Sequence, residues 1–532
     1  MQLFSIALIV MLGAVLLAAF ARRVGAPYPA LLALGGAALA FVPGAPKVTI
    51  APELILAVFV APVLLEAAYN ASLRDLQDNW RPVSTLVFVA VALTVVAVAV
   101  VAHWLVPGLP WPAAIALGAI VAPPDAAAAT AVLRSLKPPH RVMTILEGES
   151  LFNDASALLI YRFAVAAAIT GSFALERAIP TFVAVVGGSV AAGWLLARVY
   201  LLTLNRISDV ASTVVLQFLG AFGVWLIADR IGLSGVTTIV VFAITLARHN
   251  PTMLEARHRL SSASVWDTAV FVLNAAAFTL IGLQIRPLLS TFDAVEERQY
   301  LIAAAAIVAT VILVRIAWIM LYNRAMTLKN QLFGVKLARD GMTPPTVKTG
   351  LLTAWCGMRG IVTVAAALAL PPQFPQRELI ILVAFAVTLT TLVVQGLTLR
   401  PLIQALDFPP DDMVAIEIGY ARAEGLKAAL HAIDREHSTA ARLLRREYRE
   451  ALGLTEAAEG DRPDTEVNAL RRRAIEVSRA RIIELRDARE VGDDAFRKLQ
   501  EEYDLIELAA RDPEAEVEGE PLLLEGEEAN LA

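Results

Sequence analysis

The sequence has few of the residues that a large water-soluble protein exposes to water. Charged residues make up 18% of the 532-residue chain and hydrophobic residues 57%, with a mean hydropathy of +0.63. Its apolar runs recur at about 20 residues, the length that crosses a bilayer. This composition excludes a soluble protein and predicts a polytopic helical membrane protein.

Cysteine is nearly absent, because Cys356 is the only one in the chain. A single cysteine excludes an internal disulfide framework. The first residues, "MQLFSIALIVMLGAVLLAAFARR", lack the positive segment that precedes the apolar run of a cleaved signal peptide, and Arg22 and Arg23 follow that run instead. We therefore expect a retained first span with its N-terminus outside.

Basic residues are scarce in every second connection between apolar segments. We count thirteen such segments, at residues 2–20, 27–43, 51–69, 83–106, 112–133, 142–170, 178–203, 210–230, 234–247, 264–285, 300–323, 349–370 and 379–404. The other connections carry Arg22, Arg23, Arg74, Arg81, Arg134, Lys137, Arg141, Arg198, Arg206, Arg248, Arg257, Arg259, Arg324, Lys329 and Lys348. Cytoplasmic loops are enriched in Lys and Arg. The alternation predicts an odd number of spans in the inner cell membrane and a cytoplasmic C-terminal tail.

The tail differs from the rest of the chain in charge. Of the 50 acidic and 45 basic residues, 32 acidic and 18 basic lie from Leu406 onward, which leaves 18 acidic and 27 basic before it. We predict a transmembrane domain over 1–406 and a cytoplasmic helical tail over 407–511. Within that tail, "GDRPD" at 460–464 separates helical stretches at 412–452 and 463–511, and the acidic end, 512–532, is typical of disorder. A tail with regulatory or assembly interactions and a merely solvated appendage both stay open.

Ionisable residues inside the apolar segments are few, and each is a functional candidate because it costs several kcal/mol in lipid. The candidates that we single out are Glu66, Asp125, Glu147, Glu149, Asp154, Arg315 and Arg359. Glu66 lies near a span end, so a role in a cytoplasmic funnel and a bystander role stay open. Arg315 can pair with the tail, a lipid or a site carboxylate.

Helical geometry separates the two carboxylates of the segment "LEGESLFNDASALLIYRF". Ser150 and Asp154 are four residues apart and share a face. Glu149 and Asp154 are five apart, which places them about 140° apart around the helix. We therefore predict Asp154 as the ion ligand and Glu149 as a structural carboxylate, paired with Arg359, whose guanidinium stays charged.

Two helix breakers interrupt the apolar segment "AIVAPPDAAAATAV". Pro123 and Pro124 remove two backbone donors and leave carbonyls without helical partners. Such backbone is tolerated at membrane depth where it lines a polar cavity, and free carbonyls suit a small hard cation. Asp125 can cap the new helix start and add charge to the site. The sequence "CGMRG", residues 356–360, interrupts a second segment, and paired interruptions in corresponding halves indicate a transporter site.

The run "APPDAAAATAVLRSLKPPHRVMTILEGESLFNDASALLIYRFA" resembles the signature of sodium/proton antiporters, the branch of bacterial NhaP-type proteins and animal sodium/hydrogen exchangers. The resemblance covers about residues 1–406 and continues through "WCGMRGIVTVAAALALP" and "VVQGLTLRPLI". It implies an all-α polytopic fold of about thirteen transmembrane helices in two inverted repeats, with two crossed discontinuous helices. It also implies a homodimer in which core helices, about 83–170 and 300–404, move against dimerisation helices, about 1–69 and 178–285.

The resemblance also assigns residues. It implies that Asp154 is the essential aspartate, with ion-binding contributions from the neighbouring side chains and backbone of Asp125, Ser150, Asn153, Pro124 and Ala122. It places Na⁺ at Asp154, Asp125 and Ser150, a structural pair at Glu149 and Arg359, and a cytoplasmic-side glutamate at Glu66. Many members have threonine where this chain has Pro124, so a potassium/proton antiporter of the same fold stays open.

The function that follows is secondary active sodium/proton antiport for pH and cation homeostasis. Asp154 would bind a proton or Na⁺ but never both, and the Asn153-Asp154 pair implies electroneutral one-for-one exchange. Such a transporter is not an enzyme. It needs no cofactor beyond its transported ions, and its partners are lipid and a second copy rather than nucleic acid. A cation channel is the alternative of another class. An intramembrane aspartyl protease is disfavoured because the sequence lacks a Gly-x-Gly-Asp motif.

Overall fold

The computed structural model describes residues 2–510 except 25, 43–51, 134–135, 137, 172–174, 205, 208, 254–255, 287–293, 334–343, 410, 458–465 and 489. Within these residues the chain is helical and contains no β-strand. It forms two compact units that divide between residues 409 and 410. The acidic end predicted to be disordered, 512–532, lies outside the described residues, as do Arg134 and Lys137.

The first unit contains helices that we number in chain order. They are α1 Gln2–Val24, α2 Tyr28–Ala40, α3 over 52–70, α4 Leu73–Asp78, α5 Trp80–Leu105, α6 Trp111–Val121, α7 Ala126–Leu133, α8 His140–Thr170, α9 Leu175–Leu204, α10 Val210–Arg230, α11 Gly235–Met253, α12 Ala256–Leu283, α13 Ala294–Phe333, α14 Val347–Trp355, α15 Ile361–Leu368 and α16 Arg377–Leu406.

Each of the thirteen predicted apolar segments contains helix. By length and composition, seven helices of the described residues can cross a membrane: Trp80–Leu105, His140–Thr170, Pro180–Leu204, Val210–Arg230, His258–Leu283, Arg298–Phe333 and Arg377–Leu406. The all-α membrane class predicted from composition is therefore confirmed.

Both predicted interruptions are present. Helix α6 ends at Val121 and α7 begins at Ala126, so the prolines lie in the gap. The second gap separates α14, which ends at Trp355, from α15, which begins at Ile361. The gaps contact each other, because the backbone N–H of Asp125 donates to the carbonyl of Met358 at 2.7 Å.

Among the residues that the structure describes, three helices contain a π-helical turn, at Leu56–Val60 in α3, Thr85–Ala90 in α5 and Thr391–Gln395 in α16. Such turns shift the backbone hydrogen bonds and are frequent at functional sites. In α5 the turn presents the carbonyl of Val87 to Ser156 of α8, whose hydroxyl donates to it at 2.9 Å. The π turn of α5 therefore lies where this helix meets α8.

The interrupted helices lie in a set of mutually packed helices. Helix α6 packs against α5 and α8, and α13 packs against α5, α14 and α16. Helix α16 also packs against α6 and α15, so it contacts a half of each interrupted helix. Elsewhere α2 packs against α12, while α11 packs against α3 and α9.

The second unit also contains only helices in its described residues. They are α17 Met413–Ala432, α18 Thr439–Ala457, α19 Glu466–Asp487 and α20 Asp493–Ala510. Helix α17 packs against α18 and α19 against α20. Each of the two predicted helical stretches is therefore a helical hairpin rather than one helix.

Candidate functional site

A cavity of about 440 Å³ lies between α3, α8, α12 and the two interruptions. Its polar lining residues are Tyr28, Glu66, Asn70, Asp125, Thr130, Glu147, Ser150, Asp154, Asp267, Asn274 and Thr363. Pro123, Pro124 and Gly360 add interrupted backbone to the wall. The structure thus brings Asp125, Ser150, Asp154, Pro124 and Glu66 to one cavity.

Helix α8 carries a polar face into this cavity. Glu147, Ser150 and Asp154 are spaced by three and four residues, so they follow one face of the helix. The seven-residue step from Glu147 to Asp154 corresponds to about 10 Å along the axis. Asp154 is only 6% exposed. The cavity therefore leads past two carboxylates on one helix, of which Asp154 is the buried one.

Asn153 connects α8 to the first interruption. Its side-chain amide donates at 2.7 Å to the carbonyl of Pro124, which lies in the gap between α6 and α7. The residue is fully buried, and among the described residues its Oδ1 has no hydrogen-bond partner. A buried amide oxygen without a donor suits a cation or a water molecule. Asn153 thus fixes one carbonyl and leaves one oxygen for a ligand.

Asp125 lies against the second interruption. A Cβ added to Gly360 would overlap its Oδ2, so only glycine at that position admits the carboxylate. Gly360 immediately precedes α15, whose N-terminus carries a partial positive charge. Sequence reasoning assigned Asp125 to the start of its own helix, α7. The structure places its carboxylate beside the start of α15 as well.

The predicted Glu149–Arg359 pair is wrong, because Glu149 pairs with Arg315 instead. Arg315 Nη1 and Nη2 donate to the two carboxylate oxygens at 2.5 and 2.7 Å, which is a bidentate pair. Arg315 also donates to the carbonyls of Thr353 and Ala354, both at 3.1 Å, at the end of α14. The geometry that excluded Glu149 from the Asp154 face directs it towards α13, which carries Arg315.

Arg359 binds backbone rather than a carboxylate. Its Nε donates to the carbonyl of Val121 at 2.8 Å, its Nη2 to that of Ala122 at 3.1 Å, and its Nη1 to that of Gly357. These carbonyls belong to the two interruptions and lack helical partners. Arg359 is 1% exposed, so its charge is met by carbonyl dipoles. Ala122, predicted as an ion ligand, instead gives its carbonyl to Arg359 and does not line the cavity.

A family model described as "Sodium/hydrogen exchanger, transmembrane" matches residues 7–405. The chain belongs to the sodium/hydrogen exchanger family. This exchanger is 32% identical over 518 residues to an uncharacterized Na⁺/H⁺ exchanger of Mycobacterium tuberculosis, a match of 92% of this chain and 93% of the relative. It is 30% identical over 416 residues to the low-affinity Na⁺/H⁺ antiporter NhaS1 of Synechocystis, over 76% and 74% of the two chains.

A third relative is longer than this exchanger. The sodium, potassium, lithium and rubidium/H⁺ antiporter of Bacillus pumilus is 30% identical over 425 residues, and the match covers 76% of this chain but 62% of that protein. The fold matches the sodium proton antiporter MjNhaP1 of Methanocaldococcus jannaschii with a TM-score of 0.59 at 19% identity, over 74% of this chain and 100% of the other. The exchanger therefore has the fold of a membrane antiporter.

Sequence reasoning missed six polar residues that line this exchanger's cavity: Tyr28, Asn70, Thr130, Asp267, Asn274 and Thr363. Of these, Asp267 and Asn274 lie seven residues apart on α12. Their spacing puts them on one helix face, a signal that was present in "VWDTAVFVLNAAAF". The apolar residues around them match a buried helix equally well, so the pattern alone did not single them out.

A second polar cluster lies where the chain connects α3 to α5. Asp75 of α4 is within 3.1 Å of His140 Nε2 at the start of α8, and Asn79 accepts from Arg141 Nε at 2.9 Å. Burial raises the pKa of Asp75, but the hydrogen bonds of Ser72 and His140 and the charges of His140 and Arg74 outweigh it and lower that pKa below its usual value of 3.8. The cluster fastens the start of α8, the helix that carries Asp154.

Proposed function

We propose that this exchanger is a secondary active sodium/proton antiporter that exchanges one Na⁺ for one H⁺ at Asp154. The observation that carries the proposal is the buried Asp154 at the cavity wall formed by two interrupted helices. A buried carboxylate is costly unless a proton or a cation neutralises it. Proton and cation therefore compete for one position.

Oxygen donors around Asp154 suit Na⁺. Asp125, Ser150 and the interrupted backbone of Pro124 share its cavity. Among the described residues, the Oδ1 of Asn153 accepts no hydrogen bond. A hard monovalent cation prefers such oxygen ligands, and alkali ions are held by carbonyls and carboxylates. Asp154, Asp125 and Ser150 form the proposed Na⁺ site. Glu66, half-buried on α3, belongs to the approach to it.

Exchange follows if the ion-carrying helices move only when Asp154 is neutral. The proposed moving core is 83–170 with 300–404, and the proposed dimerisation helices are 1–69 with 178–285, in a homodimer. Moving an empty charged site past an apolar gate costs several kcal/mol. That cost couples the two ion movements. The transported ions are Na⁺ and H⁺, and the cycle uses no cofactor.

The polar lining of the cavity extends to the end of α3 and the beginning of α8. Glu66 and Asn70 lie in the last turns of α3, and Glu147 in the second turn of α8. In the proposed topology the protein lies in the inner membrane, with its N-terminus outside and its tail in the cytoplasm. The end of α3 and the beginning of α8 then lie on the cytoplasmic side. The conformation is therefore inward-facing in this proposal.

Potassium is the second candidate ion. The Bacillus pumilus relative carries sodium, potassium, lithium and rubidium in its name. Pro124 offers no hydroxyl to the site, and its carbonyl already accepts from Asn153. A site with one fewer side-chain ligand discriminates less sharply between alkali cations. Transport by purified protein in liposomes, with each cation supplied alone, decides between Na⁺ and K⁺.

The central experiment compares Asp154→Asn with Asp209→Asn in purified, reconstituted protein. Asp209 caps α10 outside the cavity by accepting from Ser212 N at 2.7 Å, and asparagine caps as well as aspartate. We expect Asp154→Asn to abolish recovery of a preset pH gradient on addition of Na⁺ and Asp209→Asn to preserve it. Wild-type recovery in Asp154→Asn would refute the site.

A potassium/valinomycin voltage clamp tests stoichiometry, since voltage-dependent exchange contradicts the one-for-one ratio. Conductance without a proton gradient would indicate a channel.

A further inference from the structure

Thr391 lies at the point where α16 meets the second interruption. It is fully buried and begins the π-helical turn Thr391–Gln395. The backbone N–H of Arg359 donates to its Oγ1 at 3.0 Å, while the Thr391 hydroxyl donates to the carbonyl of Val387 at 2.8 Å within α16. The hydroxyl is thereby oriented with a lone pair towards Arg359.

This contact satisfies a donor that the interruption would otherwise leave unpaired. Arg359 lies between Trp355, where α14 ends, and Ile361, where α15 begins, so its N–H is outside both helices. A buried donor left unsatisfied costs about 1–3 kcal/mol. Thr391 therefore fixes the backbone of Arg359 from a continuous helix, which is stiffer than the interrupted one.

The Arg359 side chain carries that constraint to the other interruption. Its guanidinium donates to the carbonyls of Val121 and Ala122, directly before the double proline. Residues 123–125 follow, and they line the cavity beside Asp154. The spacing of the oxygens around the cation thus depends on where Arg359 holds residues 121 and 122.

We propose that Thr391 is a positioning residue for cation binding, acting through Arg359 on the interrupted backbone next to Asp125. The inference rests on the proposed antiport function and extends it to a residue outside the cavity. Without the hydroxyl, the Arg359 backbone can shift and the carbonyls it holds become less well ordered. A looser oxygen shell binds Na⁺ more weakly and distinguishes Na⁺ from Li⁺ less sharply, because selectivity depends on how ligands are held.

Helix α16 offers a matched control one turn earlier. Thr388 is also fully buried, but among the described residues its Oγ1 has no hydrogen-bond partner. Thr388→Val and Thr391→Val make the same chemical change in the same helix. They differ in whether a hydrogen bond to the interruption is lost. Thr391→Ser restores the hydroxyl and loses only a methyl group.

The experiment measures the apparent KM for Na⁺ and for Li⁺ in proteoliposomes, together with Tm, for wild type and the three variants. We expect Thr391→Val to raise the KM for Na⁺ by about three- to tenfold and to narrow the difference between Na⁺ and Li⁺, since loss of one buried hydrogen bond has an effect of this order. Thr391→Ser and Thr388→Val should keep the wild-type KM.

Several results would overturn the inference. They are a wild-type KM in Thr391→Val, equal effects of Thr391→Val and Thr388→Val, and a lowered Tm without a change in KM or in the Na⁺/Li⁺ difference. If Thr391→Val does not fold, Thr391→Cys takes its place, because a thiol is close to serine in size and a poorer hydrogen-bond acceptor. A wild-type KM for Na⁺ in Thr391→Cys would then overturn the inference. Absence of Na⁺-driven proton flux in the wild type would instead refute the proposed function.

Discussion

Replacing either Glu149 or Arg315 should destabilise the protein strongly, and the effects of the two replacements should not be additive. The two side chains are 2% and 4% exposed and are joined by two hydrogen bonds of 2.5 and 2.7 Å. Removing one partner of a buried pair leaves an uncompensated charge and costs about 3–5 kcal/mol. We therefore expect Arg315→Met and Glu149→Leu each to lower the free energy of unfolding by about that amount.

The double variant separates the pair from its surroundings. In Glu149→Leu/Arg315→Met both charges are gone, so the cost that remains is chiefly the loss of donors to the carbonyls of Thr353 and Ala354, about 1 kcal/mol each. The double variant should thus be less destabilised than the sum of the single variants. Equilibrium unfolding in mixed micelles with a denaturing detergent, with Tm as a second measurement, provides the cycle.

The same cycle with Arg359 is the control. Arg359 donates to backbone carbonyls and not to Glu149, so Glu149→Leu and Arg359→Gln should combine more nearly additively. A coupling energy between Glu149 and Arg359 as large as that between Glu149 and Arg315 would refute the pairing. Additive effects of Glu149→Leu and Arg315→Met would refute it as well.

Three further changes test other parts of the structure. Gly360→Ala places a Cβ on Asp125 Oδ2 and should raise the KM for Na⁺ at least tenfold (roughly 1.4 kcal/mol or more), whereas Gly13→Ala, where a Cβ meets nothing within 4 Å, should leave exchange unchanged. Asp75→Asn should lower the free energy of unfolding near pH 7 by roughly 1–3 kcal/mol. Because the pKa of Asp75 is lowered in the folded state, the stability difference between wild type and variant should persist above pH 3.8 and vanish as the pH falls below that value. A series of Tm measurements across this pH range checks the expectation. Thr346→Ala removes the side-chain cap that accepts from Thr349 N at 3.1 Å and should cost about 1 kcal/mol in unfolding, whereas Thr346→Ser should not. An Asp75→Asn deficit that grows on acidification, or equal stability of the two Thr346 variants, would contradict these assignments.

Local chemistry explains what the sequence predicted well. The interruption at residues 122–125 follows from two prolines, whose effect on a helix does not depend on distant residues. The common face of Ser150 and Asp154, and the divergence of Glu149 from it, follow from helical rotation alone. In the structure the double proline, Ser150 and Asp154 all line one cavity.

Choices made by tertiary packing were not accessible in the same way. Both Arg315 and Arg359 are buried cations in apolar segments, and only the packing of α13 against α14 decides that Arg315 reaches Glu149. The tail shows the same limit, since the break at residues 433–438 within the first predicted stretch has no proline or glycine to mark it. Thr391 is one of several threonines in an apolar helix, and nothing in its neighbours predicts a contact with Arg359.

The π turns bear on how this chain is aligned with its relatives. A π turn adds one residue to a helix without ending it, and each residue turns an α-helix by about 100°. Deleting one residue from Thr391–Gln395 would rotate the first part of α16 against the second, so Thr391 would leave Arg359 while Gly396 stayed beside Pro27. Relatives without such a turn therefore require a single-residue gap in mid-helix, where gaps are ordinarily avoided. An ungapped alignment would assign every residue on one side of the turn to the wrong face.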